Sequence, residues 1–426
     1  MPLAELIEIV PLERPVTARI TVPGSKSITN RALILAVLAQ GTVTLRGALW
    51  SEDTQVMVDS LQRLGFHIQV ELDPGEFCNR TLVVGGLGGQ IPHAGTDRNP
   101  LELFVGNAGT AARFLAALVC LGHGSFRLRG TPRMHERPQA NLIQALRKLG
   151  YRVDSPNDRL PADIHGAGPR PGSCCVVNLA ESSQFASALL LAAAAGGWKV
   201  EVAGEDTEEA PYVAMTQRLM ETFPARGGAF QIEPDASSAS YFSAAQAFLP
   251  PPSAIAIADF PATDWQIDTA FPAFLPLPAR ISRQTQLGDS IMTAMILAPF
   301  ASHPVTFTDL ARLRVQECER VAVMRAELTK CGVRVAEAGD TLTIFPSLPT
   351  ARSADIATYH DHRVAMCFAI LGLKVPGIRL QNPACVKKTF PDFFQKLAAP
   401  APGGLGVTIL DSNTGRPLPP GGLFAA

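Results

Sequence analysis

Two kinds of apolar run alternate along this chain. One is helix-length, rich in Ala and Leu and opened by Gly, Ser or Asp. The other is short and strictly alternating. The alternating runs are GTVTLRG (41–47), HGSFRLRG (123–130), GWKVEVAG (197–204), PPSAIAIAD (251–259), SHPVTFTDL (302–310) and VPGIRLQN (375–382), and each predicts a strand that follows a helix and a tight turn. Their spacing of roughly 50 to 85 residues marks a repeated supersecondary unit. Between several copies an amphipathic helix runs into a second strand, at residues 56–64 before 65–68, 142–149 before 150–153, and 324–330 before 332–335. Each unit therefore reads helix, strand, helix, strand, an α/β alternation. Six units divide most simply into two domains of three. The break falls at Ile232-Glu233-Pro234-Asp235, where a strand ends and DASSASYF opens a helix. Pro-rich stretches at 249–252 and 271–278 read as loops, and the Pro/Gly-rich tail after Ala398 reads as a loosely held end.

The helix starts carry the polar chemistry. In TVPGSKSITNRALILAVL (21–38) a β-rich run meets Pro23-Gly24, then a polar loop, then a helix whose apolar face includes Leu33, Ile34, Val37 and Leu38. Ser25 or Ser27 can cap that helix. Its unpaired N–H groups and positive dipole end then lie beside Lys26, with Arg31 one turn further on. That combination favours an anion, although the GxxxxGK[ST] spacing of a phosphate loop is absent. Similar starts occur at Gly106-Asn107-Ala108-Gly109-Thr110, Glu181-Ser182-Ser183-Gln184, Asp235-Ala236-Ser237-Ser238, Gly288-Asp289-Ser290 and His360-Asp361-His362-Arg363. Taken singly each is an ordinary cap. Converging, they would form an electropositive basin for phosphates and carboxylates. Three basic segments would add planar donors to it: Thr131-Pro132-Arg133-Met134-His135-Glu136-Arg137-Pro138, residues 313–320 (LRVQECER), and Lys387-Lys388-Thr389-Phe390-Pro391-Asp392.

Composition narrows the partners. Lys plus Arg (37) nearly balances Asp plus Glu (38), so no global field favours nucleic acid or membrane. At 426 residues and 47% apolar, the chain can bury two sizeable cores. The N-terminal MPLAELIEIVPLERP lacks the basic and apolar regions of a leader, and the apolar run 186–195 is about half of a membrane span. Eight cysteines show no CxxC spacing, which predicts neither a metal nor a redox motif. The adjacent Cys174 and Cys175 read as two thiols, and a reducing cytoplasmic location fits.

In order along residues 23–394 stand PGSKSITNRAL, GNAGTAARF, GTPRMHERP, ESSQFASALLL, DASSASYF, GDSIMT, RVQECERV, YHDHRVAM and KKTFPDFF. Together they resemble the 5-enolpyruvylshikimate-3-phosphate synthase family of enolpyruvyl transferases. The resemblance implies a two-domain inside-out α/β barrel fold, each domain built from three βαβαββ units. Residues 1–24 plus 235–426 would form one domain and 25–234 the other, with crossings near Gly24-Ser25 and Pro234-Asp235 and closure over the ligands. It implies transfer of the enolpyruvyl group of phosphoenolpyruvate to the 5-hydroxyl of shikimate 3-phosphate, with release of phosphate, on the route to chorismate and aromatic amino acids. It further implies a cytoplasmic monomer that uses no metal or organic cofactor and binds neither nucleic acid nor membrane. By motif, Arg133, Arg320, Arg363 and Lys388 would hold phosphoenolpyruvate, with Lys26, Gly109 and Gln184 beside them. Lys26, Ser27, Arg31, Ser182, Ser183, Gln184, Tyr212, Asp289 and Gln316 would hold shikimate 3-phosphate. Asp289 would take the hydroxyl proton, and Lys26 and Glu317 would move the proton on and off the methylene carbon.

Departures from the family pattern gather on the acceptor side. Glu209-Ala210-Pro211-Tyr212 stands where the family has Ser-Lys-Pro-Tyr, and Arg312-Leu313-Arg314-Val315-Gln316-Glu317 where it has Asn-Trp-Arg-Val-Lys-Glu. Phe114 replaces a proline after Arg113. These changes keep two alternatives open: a paralogous transferase acting on another cyclic alcohol, and a non-catalytic anion-binding homologue. The sugar-nucleotide sister enzymes fit less well, because Ser27 stands where they have asparagine after the lysine.

Overall fold

All six alternating runs form strands in a computed structural model of the chain, which describes residues 3–179, 182–204, 210–347 and 352–425. Each of the six lies parallel to one other strand. A parallel pair needs a crossover, and here the crossovers are the helices with the polar starts. Gly109–Leu118, Ser183–Gly196, Ile291–Leu297 and His362–Gly372 each join the two strands of one pair. The chain forms two units, residues 24–233 and the discontinuous 1–23 with 234–426. Two connections between them carry the remaining helices. Strand Thr17–Ile20 leads through Pro23-Gly24 into helix Lys26–Leu38, and strand Gly228–Gln231 leads through Glu233-Pro234 into helix Ala236–Phe248.

Among the described residues, each unit contains three sheets and a set of three mutually packed helices. Every residue of Gly109–Leu118, Ile291–Leu297 and His362–Gly372 is buried. This explains why the sequence shows small and apolar residues all round these helices rather than a single stripe. The sheets bury one face, as in Thr17–Ile20 and Cys174–Asn178, where exposed and buried positions alternate.

The six modules differ in how their parallel pairs continue. Three parallel pairs continue into a contiguous antiparallel hairpin: Ile68–Leu72 with Asn79–Leu87, Arg152–Asp154 with Ala162–Ala167, and Val335–Ala338 with Thr341–Ile344. A fourth is completed by the two ends of the chain, Leu6–Ile9 and Ile409–Asp411, laid antiparallel on one another beside Ile378–Gln381. Among the described residues, the pairs Cys174–Asn178 with Lys199–Ala203 and Thr17–Ile20 with Ala254–Ile257 carry no hairpin. The tail corrects the expectation of a loosely held end. It supplies Ile409–Asp411 and Arg416–Pro417 to the sheet and buries Leu405, Val407 and Leu423. Residues 267–274, partly inside the expected 271–278 loop, form a 3-10 helix containing Pro272.

Candidate active site

In the discontinuous unit, two helix starts and the middle of a third helix meet around one arginine. Asp289 lies in the turn before helix Ile291–Leu297, Arg363 in the first turn of His362–Gly372, and Tyr241 on Ala236–Phe248. Arg363 Nη2 is 2.9 Å from Asp289 Oδ2, and its Nη1 donates to the Tyr241 hydroxyl at 3.4 Å. Asp361 caps the helix by accepting from the Arg363 N–H at 2.9 Å. The same carboxylate takes a fork from Arg320, Nε at 2.7 Å and Nη2 at 3.1 Å. Arg320 also reaches Glu317 Oε2 at 3.0 Å, and its Nη1 donates to Gln316 Oε1. Lys388 Nζ holds the other oxygen of Glu317 at 3.1 Å. Arg283 Nη2 and Arg320 Nη1 approach Asp289 Oδ1 at 3.5 and 3.8 Å.

The electrostatics follow from this geometry. Burial pushes the Asp289 carboxyl upward, but the guanidinium groups of Arg363, Arg320 and Arg283 outweigh it and hold the group well below the usual carboxylate range. Burial works against the charge on Arg320, and Asp361, Glu317 and Asp289 more than restore it. Asp268 stands nearby in a different state. Burial and the charge of Asp289 raise its pKa, although it accepts from the Ser290 N–H at 3.0 Å and the Ser290 hydroxyl at 2.5 Å. The expected electropositive basin is thus, in this unit, a cluster whose cations are already matched by carboxylates.

Within residues 24–233 a second group of helix starts converges. Lys26 opens Lys26–Leu38, and its Nζ pairs with Asp53 Oδ2 at 3.1 Å. Ser25 occupies the cap position, but its side chain makes no capping bond. Ser182 caps Ser183–Gly196 by accepting from the Gln184 N–H at 3.2 Å, and Gln184 Nε2 reaches the Thr110 hydroxyl at 3.5 Å. Ser182 and Ser183 are buried, whereas Ser27 and Tyr212 are half-buried. Arg31 is buried and donates to the Thr216 hydroxyl (2.7 Å), the Ser27 carbonyl (2.9 Å), the Ser187 hydroxyl (3.1 Å) and the Tyr212 carbonyl (3.4 Å). It therefore ties the first helix to Ala210–Thr222, the helix that carries Tyr212. Arg133 is 40% exposed and paired with Glu136 at 2.8 Å. Glu209 lies outside the described residues.

Several contributors had little signal in the sequence. A Cβ at Gly109 would meet Arg137 Nη2 at 2.6 Å and Arg113 Nη1 at 2.8 Å, so two guanidinium groups cradle this helix start and a side chain there would displace them. Arg113 is fully buried, donating to the Gly109 carbonyl at 3.0 Å and the Pro138 carbonyl at 2.9 Å. Arg137 donates to the Asn107 carbonyl at 3.0 Å. Arg137 stood beside Arg133 in a motif with two arginines, and nothing in the spacing told them apart. Arg283 and Asp268 belong to no motif.

The family model described as EPSP synthase (3-phosphoshikimate 1-carboxyvinyltransferase) matches residues 12–273 and 281–397. The chain belongs to this family. A 3-phosphoshikimate 1-carboxyvinyltransferase of Pseudomonas savastanoi pv. phaseolicola is 39% identical over 95% of this chain and 98% of its own length. One from Rhizobium etli is 37% identical over 96% of this chain and 99% of its own length. Among solved structures, an EPSP synthase from Acinetobacter baumannii superposes with a TM-score of 0.74 at 22% identity, covering 95% of this chain and 99% of that one. The enolpyruvyl transferase NikO from Streptomyces tendae gives 0.71 at 17% identity over 98% and 100%. The fold is therefore the two-domain α/β fold of the enolpyruvyl transferases. No helix among the described residues is long and apolar enough to cross a membrane.

Proposed function

We propose that this protein transfers the enolpyruvyl group of phosphoenolpyruvate to the 5-hydroxyl of shikimate 3-phosphate and releases phosphate, a step toward aromatic amino acids. The observation that carries this reading is the cluster in which Arg320, Arg363 and Lys388 surround Asp289 and Glu317. It joins a set of anion-binding cations to two carboxylates they can release. The three cations take the carboxylate and phosphate of the donor, and by the family motif Lys26, Gly109, Arg133 and Gln184 bind the donor as well. Ser27, Ser182, Ser183, Tyr212 and Gln316 hold the acceptor, and Arg31 fixes the helix that carries Tyr212.

Asp289 accepts the hydroxyl proton as the acceptor oxygen bonds to C2 of the donor, while Lys26 or Glu317 delivers a proton to the C3 methylene. In the second half, C3 gives a proton back and the C2–O bond to phosphate breaks, restoring the C2=C3 double bond as the enol ether of the acceptor. The guanidinium groups stabilise the charge on the intermediate and the departing phosphate. The protein acts as a cytoplasmic monomer and uses no metal or organic cofactor.

The test is phosphate release from phosphoenolpyruvate by the purified protein, with and without shikimate 3-phosphate. Release that requires shikimate 3-phosphate supports the reading. Tight binding of phosphoenolpyruvate without turnover points instead to a transferase for another cyclic alcohol. Gln316 favours that second reading: it is uncharged where the family has lysine, and it accepts a hydrogen bond from Arg320. No binding of either ligand leaves a non-catalytic homologue.

A further inference from the structure

Three guanidinium groups surround Asp289. Under the function proposed above, Arg320 and Arg363 turn to the donor's anionic groups, and the donor's own negative charge offsets theirs. Arg283 is assigned to neither ligand. It is almost completely buried and lies 3.5 Å from Asp289 Oδ1. Its backbone is fixed: the Arg283 N–H donates to the Thr308 carbonyl at 3.1 Å, on the neighbouring strand Val305–Thr308. The turn after it is closed by the Gln286 and Leu287 N–H groups, both donating to the Ser282 carbonyl at 3.2 Å. The Gln286 side chain accepts from the Ser282 N–H at 2.7 Å. A rigid turn thus presents this guanidinium to the carboxylate six positions later in the chain.

We infer that Arg283 is a positioning residue for the transfer: it holds Oδ1 of Asp289 while the donor occupies Arg320 and Arg363, leaving Oδ2 to receive the acceptor's hydroxyl proton. The inference rests on the functional reading above. The charged groups facing Asp289 are Arg283, Arg320, Arg363, Glu317 and Asp268, with Lys388 acting through Glu317. Glu317 and Asp268 resist its ionisation and the three arginines favour it. Once the donor is bound, Arg283 is the cation that keeps the base ionised at the start of the acid range.

The experiment compares the full-length wild type with Arg283→Gln and Arg283→Lys in phosphate release from about pH 5 to 9. For Arg283→Gln, kcat falls by about tenfold or more and its acid limb moves up by about one pH unit. KM for phosphoenolpyruvate stays within about threefold, because the residue does not touch the donor. Arg283→Lys keeps the charge but not the fork, so its acid limb stays with the wild type while kcat remains reduced. An unmoved acid limb in Arg283→Gln overturns the inference. So does a KM increase of about tenfold with kcat intact. If Arg283→Gln does not fold, Arg283→Lys decides: wild-type kcat overturns the positioning role, and reduced kcat with an unmoved limb supports it.

A wild type that releases no phosphate overturns the functional reading separately. Arg283 is then read from the NMR titration of isotope-labelled aspartate in the free protein, with Asp289→Asn assigning the signal. The Asp289 midpoint rises in Arg283→Gln if the inference is right, and an unchanged midpoint overturns it.

Discussion

Asp361 shows how one side chain can serve packing and chemistry together. It is fully buried, caps a helix, takes the Arg320 fork and lies 3.4 Å from the Cys318 thiol. Asp361→Ala leaves the buried Arg320 short of its partner, at a cost of about 3–5 kcal/mol. Thermal or denaturant unfolding should show that loss, and an unchanged melting temperature would refute it. Two neighbouring carboxyls respond to pH with opposite sign. The folded pKa of Asp289 is depressed, so its contribution is full above the unfolded value and is lost as pH falls below it. Asp268 is raised, so its ionisation costs stability above its folded pKa, and that cost disappears as pH falls to the unfolded value. Asp268→Asn should therefore raise the melting temperature at neutral pH and Asp289→Asn should lower it, with both differences shrinking below about pH 4. In the proposed reaction Asp289→Ala should abolish turnover while both ligands still bind, and calorimetry beside the phosphate assay would show it. Asp289 was legible in the sequence through its motif. Asp268 was not, because its role comes from a neighbour 22 residues away, the Ser290 N–H and hydroxyl.

At the scale of the element, periodicity revealed what is local and missed what is paired at long range. The six strands were visible because each alternates within a few residues. The tail misled because its Pro and Gly content suggested a loose end, whereas its partner is strand Leu6–Ile9 at the other end of the chain. The two missing hairpins were equally hidden, since the repeat spacing does not reveal what fills it. The tail also lies beyond the stretch that matches the family, which ends at residue 397. Leu405, Val407, Ile409 and Leu423 are buried there, each side chain worth about 1.5–3 kcal/mol. Deleting residues 400–426 also strips a pairing partner from Leu6–Ile9. The truncated protein should melt well below the full chain or precipitate on expression, and an equal melting temperature would show that the tail adds nothing.

For the whole molecule the organising fact is that one unit is continuous and the other is not. Residues 24–233 contain their three sheets complete, so expressed alone they should give a cooperative unfolding transition. Residues 234–426 alone should not, because Leu6–Ile9 is an inner strand of one sheet and Thr17–Ile20 is half of another. The Asp235 N–H donates to the Pro23 carbonyl at 2.8 Å, so residues 1–23 can be joined to 234–426 through a short linker. That fusion should restore folding. Circular dichroism and melting of the three polypeptides would decide, and a well-folded 234–426 would contradict the topology.

The placement of Leu6–Ile9 also bears on synthesis at the ribosome. Its two flanking strands are Ile378–Gln381 and Ile409–Asp411, which at about 5–20 residues per second are translated roughly twenty seconds or more later. Throughout that interval residues 24–233 can fold while the apolar Ile7 and Ile9 wait unpaired. A nascent chain in that state invites a chaperone to hold its first segment until the last one emerges.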